Sequence, residues 1–380
     1  MTTSDEVLPR VVLFSGGSAA RGLTMALAAR PAAVTRVVPA WDSGGSSKAI
    51  REALGLMPVG DIRQALLSMA SGEGRSDDLV RLANTRLSDS NRPAAEAELA
   101  ELVIGDHPLM AGFDAATWGV IRGHLVRFAE AVGEEFDCLN GSVGNFILAG
   151  AILSHGGDCD AGVEEFRRLC GIRDRVLPAT MAHDIELMAE LRDGRFVEQQ
   201  HRITKLAPED AAIGIERVWF ERPAPAHDAV LAAVAEADVI AFGPGSFYTS
   251  ILPHLMVPGV VEAVAANRHA RKLFLANLVE DEETRGRTLA ELIAVFGVEA
   301  ERAGAGLGDL VREIHVDRQP FPAGKTVNGH AYLAHGETGV LAEAFGITVH
   351  EGALEDAWQR GRHDGAALAS LVLNAPVTGE

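Results

Sequence analysis

The chain has 380 residues, a formal net charge of −19 and 47 % hydrophobic residues, which allows a sizeable core and excludes wholesale disorder. The acidic balance argues against sequence-independent nucleic-acid binding, which needs basic surface to neutralise phosphates. No apolar run reaches the length of a membrane span, and Met1 to Arg10 lacks the basic and apolar regions of a secretory signal, so the expected compartment is the cytoplasm.

Val11 to Phe14 reads as a buried strand and Arg21 to Arg30 as the helix after it. Val34 to Ala40 is a second strand, followed by a short helix from Lys48 to Leu54. Gly60-Asp61-Ile62-Arg63 reads as a loop leading into a helix from Gln64 to Ala70. This β-loop-α-β-loop-α opening is the pattern of a doubly wound α/β fold with a mostly parallel sheet and helices on both faces. Residues from about 72 to 135 are charged and rich in Ala, Leu and Arg, and read as a helical insertion. A loop-helix unit is expected over Asn140 to Leu153 and a helix from Val163 to Cys170. Over about 185–220 the pattern turns antiparallel: Ile185–Leu191 and Phe196–Ile203 flank Asp193-Gly194, a hairpin signal, and Ile213–Phe220 adds a strand. A helix from Ala229 to Ala237 leads to a strand at Asp238–Phe242. A helix from Gly259 then precedes Lys272–Asn277, read as the last central strand, and Thr288–Phe296 is helical. The expected organisation is one domain over about 1–330 with a helical extension, 331–380, packed on it. Cys138, Cys159 and Cys170 have no metal-site spacing and read as buried, reduced thiols.

Glycine-rich loops follow three of these strands. They are Gly16-Gly17-Ser18, then Gly44-Gly45-Ser46-Ser47 after Asp42-Ser43, and Gly243-Pro244-Gly245-Ser246. A fourth, Gly141-Ser142-Val143-Gly144-Asn145, opens a helix. In an α/β sheet such turns gather at the carboxyl edge, where ligands bind, and glycine lets the backbone approach them. The expected ligand is phosphate-rich, of nucleotide type. Asp42 could hold magnesium or orient an acceptor hydroxyl, or cap the next helix. Arg63 suits a diphosphate and Asp61 a sugar hydroxyl or metal-bound water; the alternative is a helix cap with a surface ion pair. Tyr248 and Thr249 follow the third loop within reach of the crevice. Asn145 and Asn277 face the same rim as readers of a base or sugar, with helix capping as the alternative for Asn145. His155, His183, His201 and His254 show no metal-ligand spacing, and no Ser/His/Asp arrangement is assignable. Gly324-Lys325-Thr326 matches the end of a P-loop, but Gln319 stands where its leading glycine belongs, so the match is a chance one.

The segment from Trp41 to Gly55, with Pro58 to Arg63, resembles the signature of the CofD-like superfamily, closest to its gluconeogenesis-factor branch. Gly141–Asn145, Val176–Thr180 and Phe242–Pro253 follow in the family's order, over roughly residues 11 to 300. The resemblance implies a Rossmann-like fold with a ligand crevice at the strand ends. In one branch it implies transfer of a phospholactyl group, with magnesium, from lactyl-diphospho-guanosine to a deazaflavin precursor. In the other it implies binding of UDP-sugars in the control of carbon flow and cell envelope. It also implies a GDP- or UDP-type partner and a homo-oligomer. Two positions depart from the pattern: Ala19 replaces the final glycine of the first loop, and Ser43 replaces the second of two adjacent acids.

Overall fold

The computed structural model describes residues 8–74, 77–318, 327 and 329–374. Ten strands are assigned in chain order: β1 (Arg10–Phe14), β2 (Ala33–Val38), β3 (Arg175–Pro178), β4 (Leu187–Leu191), β5 (Phe196–Glu198), β6 (Ile215–Phe220), β7 (Val239–Phe242), β8 (Arg271–Leu275), β9 (Glu313–Asp317) and β10 (Thr348–Gly352). Seven of them form a parallel sheet in the order β10-β9-β8-β7-β1-β2-β3; β5, β4 and β6 form a small antiparallel sheet. The α/β expectation holds.

The central strands are apolar on both faces because helices cover both sides, and Val11 to Phe14 are all buried. Val12 pairs with Thr35 of β2 on one side and Ile240 of β7 on the other. The chain therefore leaves β1 in one direction and returns beside it from the other. The loops after β1 and β7 diverge at this reversal and leave a crevice at their carboxyl ends. Beneath it Phe14 stacks on Phe242 at 4.9 Å, and Phe296 packs edge-on against Phe242 at 5.2 Å.

The insertion is helical as expected, with helices Asp77–Asn84, Arg92–Ile104 and Ala115–Val132. Four features differ from the sequence reading. Arg175–Pro178 belongs to the main sheet, pairing with β2. The second hairpin strand stops at Glu198, because β4 begins at Leu187 and offers no partner beyond it; Gln200–Thr204 turns into a helix. The Lys272–Asn277 strand is not the last, since β9 and β10 extend the sheet past β8. The tail is not wholly helical: helices Thr338–Ala344 and Gly365–Val372 form, but β10 lies between them as an edge strand. Glu313-Ile314-His315-Val316-Asp317 alternates polar and apolar residues, a period-two signal that its charges obscured. The Gly365–Val372 helix packs on the Arg21–Ala28 helix beside the crevice. No single helix among the described residues is long and apolar enough to cross a membrane. Gln319 and Gly324-Lys325-Thr326 lie outside the described residues.

Candidate functional site

The crevice floor is built from the loops after β1 and β7. Gly16 and Gly17 are buried and Ser18 is exposed. Arg36 of β2, fully buried, holds this loop from below. Its guanidinium donates to Ser15 Oγ at 2.9 Å, Thr24 Oγ1 at 3.0 Å and the Gly17 carbonyl at 3.0 Å, and to the Gly16 carbonyl. Removal from water lowers its pKa to about 10, against the raising effect of Asp61, so it stays charged at neutral pH.

The β7 loop is held by two side chains. Asn277 accepts the Gly245 N–H at 3.1 Å and donates to the Gly245 carbonyl at 2.9 Å. Buried Glu283 accepts the N–H groups of Tyr248 and Thr249 at 2.9 and 3.1 Å, and the Thr249 hydroxyl. Burial, then the neighbouring Asp281, push Glu283 up to about 8. Above these loops lies a cleft of about 1000 Å³. Ser18, Gly245, Ser246 and Asn277 line its floor; Gln64 and Arg362 stand on its walls.

An acidic pair adjoins the cleft floor. Asp61 presses on Gly17 so closely that a Cβ at position 17 would fall 2.2 Å from Asp61 Oδ1. A Cβ at position 60 would likewise fall 2.6 Å from Asp42 Oδ2. A side chain at either position would have to displace the facing carboxylate, and at 17 it would also crowd the Asp61 backbone. Asp42 Oδ1 accepts the Gly44 N–H at 2.9 Å, and Ser47 Oγ accepts the Gly60 N–H at 2.8 Å. Removal from water first, and Asp42 second, push Asp61 up to about 7, while Arg36, the Gly17 N–H and Arg63 pull it down. Removal from water also raises Asp42.

Beside the pair, buried Arg63 donates to Asn145 Oδ1 at 3.1 Å and to Asn84 Oδ1 at 3.3 Å. Asn145 Nδ2 donates to Ser46 Oγ at 3.1 Å. Burial lowers Arg63 to about 10.

The structure thus brings Ser18, Gly245, Ser246 and Asn277 to the cleft, with Gly16 and Gly17 buried in the same loop and outside its lining, and gathers Asp42, Asp61, Arg63, Asn145, Ser46 and Ser47 in the adjoining polar cluster. Several details differ from expectation. Asp61 and Arg63 lie in the first turn of the Gly60–Gly72 helix, not on a loop, and Asp61 does not cap it. Asp42 bonds Gly44, itself the cap residue of the Gly45–Leu54 helix, so it is not that helix's cap. Asn145 does not cap either: Ser142 does, by accepting the Asn145 N–H, which frees the amide for Arg63 and Ser46. Tyr248 and Thr249 are buried behind the loop and do not line the cleft. Gly243 lies behind it too, beside Phe274.

Sequence reasoning missed Arg36 and Glu283, and named His201 without singling it out. An arginine inside Val34-Thr35-Arg36-Val37-Val38 is a readable signal, because a cation in a buried strand demands partners. Glu283 and His201 carry no such signal. His254 is buried between Phe14 and Trp41, and burial drives its pKa to about 3, so it is a neutral core residue.

The family model described as 2-phospho-L-lactate transferase CofD matches residues 11–335. A protein named gluconeogenesis factor from Halalkalibacterium halodurans is 30 % identical over 302 residues, 79 % of this chain and 75 % of that protein. Another so named, from Bacillus subtilis, is 29 % identical over 80 % of this chain and 78 % of its own length. A putative gluconeogenesis factor from a Nostoc strain is 30 % identical over 75 % of this chain, and this chain spans only 51 % of it. A crystal structure of a UPF0052-family protein from Bacillus halodurans superposes with a TM-score of 0.71 at 24 % identity, over 97 % of this chain and 99 % of that one, a likeness of fold.

Proposed function

This chain belongs to the CofD family, and we propose that its cleft binds a nucleoside-diphosphate-linked metabolite. The observation that carries this reading is the cleft of about 1000 Å³ at the strand-order reversal, floored by two loops. Arg36 and Asn277 hold those loops through their backbone groups. A floor fixed in this way is preorganised, so little ordering cost falls on binding. Ser18 and Ser246 offer hydroxyls to phosphate or ribose, and Arg362 offers a charge on the opposite wall.

Two uses of the site remain distinct. As a regulator of the gluconeogenesis-factor kind, the protein would take a UDP-sugar and need no metal. The observation favouring this reading is Ser43, whose hydroxyl is spent on His201 where the family's pattern carries a second acid. As a transferase it would hold magnesium. The Asp42–Asp61 pair fits a magnesium ion, which takes one or two carboxylates and fills its shell with water and phosphate. Two acids whose pKa values are raised are also groups that a cation would relieve. Bound there, magnesium would neutralise phosphate charge; Asp42 and Asp61 would hold it. We favour the regulator, with the transferase as the second reading.

Isothermal titration of UDP, GDP and UDP-N-acetylglucosamine, with and without magnesium, tests both. UDP-sugar binding indifferent to magnesium supports the regulator. Magnesium-dependent GDP binding that is lost in Asp42→Asn supports the transferase. No binding of any of them at millimolar concentration overturns the common premise.

A further inference from the structure

At the amino-terminal end of the parallel sheet, opposite the cleft, lies a second cavity of about 530 Å³. Three cations line it: Arg268 before β8, Lys272 within it, and Arg312 just before β9. The remaining walls are small residues and Asp309. Lys272 is 4 % exposed, and its Nζ donates to the Asp309 main-chain carbonyl at 2.7 Å. The Asp309 carboxylate accepts the Gly306 N–H at 3.0 Å and makes no ion pair with Lys272, although its charge still favours the ammonium. Among the described residues, no carboxylate lies within ion-pair distance of Arg268, Lys272 or Arg312. In a chain with 34 basic and 53 acidic residues, three cations without acidic partners around one cavity are a departure that needs a cause. Burial makes the Lys272 ammonium costly and Arg312 adds to that cost, together outweighing the favourable charge of Asp309. Both costs fall when an anion enters.

We propose that this cavity binds a multiply charged oxyanion, the phosphate or diphosphate group of a small metabolite, as an effector site separate from the cleft. Lys272 would supply a point charge at the base, and the two arginines bidentate forks at the mouth. The proposal does not depend on the ligand of the cleft.

The probe is inorganic pyrophosphate, titrated calorimetrically at constant ionic strength into three proteins. These are the wild type, the double variant Arg268→Gln/Arg312→Gln, and the cleft variant Asn277→Asp. Both arginines are exposed and without acidic partners, so the double variant should keep the wild-type unfolding temperature. The expected result is wild-type binding that weakens about tenfold or more in the double variant and persists in Asn277→Asp. Equal affinity in wild type and double variant would overturn the proposal. So would binding lost only in Asn277→Asp, which would move it to the cleft, or no binding to the wild type at millimolar pyrophosphate.

Discussion

Ser43 and His201 are bound to each other twice: the His201 N–H donates to Ser43 Oγ at 3.1 Å, and the same oxygen lies 3.0 Å from His201 Nδ1. This contact ties the β2 loop to the short helix that follows the antiparallel hairpin. Burial, with Lys48 and Arg202, lowers the His201 pKa, so the imidazole is neutral at neutral pH and no charge replaces the missing acid. Ser43→Asp should therefore create a third carboxylate beside Asp42 and Asp61. In metal-free protein the variant should lose about 1–3 kcal/mol of stability at pH 8, since a buried charge is added without a matched partner. Magnesium should restore more stability to the variant than to the wild type. Thermal unfolding with and without magnesium checks this; equal shifts in both proteins would mean that Ser43 does not limit metal binding.

The acidic pair sets a pH dependence. Asp61 rises from 3.8 to about 7 on folding, so between those values the folded state holds a proton that the unfolded state has released. Its contribution to stability is fully present below about pH 4 and is lost as pH rises through about 7. Asp61→Asn should remove that loss. At pH 8 the variant should be more stable than the wild type by about 1–2 kcal/mol, a figure discounted because Asp61 is only half-buried. At pH 4 the difference should close. On the transferase reading, in which magnesium would occupy this pair, it would compete with the same proton and its affinity would rise from pH 6 to pH 8. Urea denaturation across this range gives the sign directly, and a variant less stable at pH 8 would contradict it.

Gly17 and Asp61 form a second testable contact. An alanine Cβ at 17 would stand 2.2 Å from Asp61 Oδ1 and 3.1 Å from its Cα, so a rotamer change relieves only part of the clash. Gly17→Ala should cost about 1–3 kcal/mol or somewhat more. Asp61→Ala in the same chain should recover about 1 kcal/mol of it, because neighbouring residues do not add independently. A double-mutant cycle in urea measures the coupling. Strict additivity would show that the two residues do not touch.

The parts of this site that were readable in the sequence are those encoded locally. Val11–Phe14 and Val239–Phe242 are apolar runs that lead into glycine-rich loops, and the lack of polar positions marks strands buried on both faces. The loops of the crevice followed from that pattern. What stayed hidden depends on long separations. Ser43 and His201 lie 158 residues apart, and Tyr248 meets Glu283 across 35. The capping choice at Asn145 was misread because the helix starts earlier: Ser142 is the cap and accepts the Asn145 N–H, which puts Asn145 inside the first turn. The outer strands β9 and β10 were missed for a different reason. β10 is an edge strand, which needs burial on fewer sides, and in β9, paired on both sides, the charged Glu313 and the buried His315 stand where an apolar run would have shown a strand.

Asn277 separates a holding role from a reading role. The sequence placed it at the rim as a reader of base or sugar, but both ends of its amide are engaged with Gly245. Asn277→Asp keeps an acceptor for the Gly245 N–H and removes the donor to the Gly245 carbonyl, setting oxygen against oxygen. That should cost about 1–3 kcal/mol of stability, the range for a buried acceptor left without its donor. The same change should weaken binding in the cleft, since Ser246 follows directly from the loop that Asn277 fixes. Asn277→Ala should lose less stability than the Asp variant, because it removes both bonds without adding a repulsion. Denaturation midpoints and calorimetric titration of UDP, measured on the same preparations, distinguish the two roles. Loss of stability and affinity together identifies a residue that holds the loop; loss of affinity at an unchanged midpoint would identify one that touches the ligand.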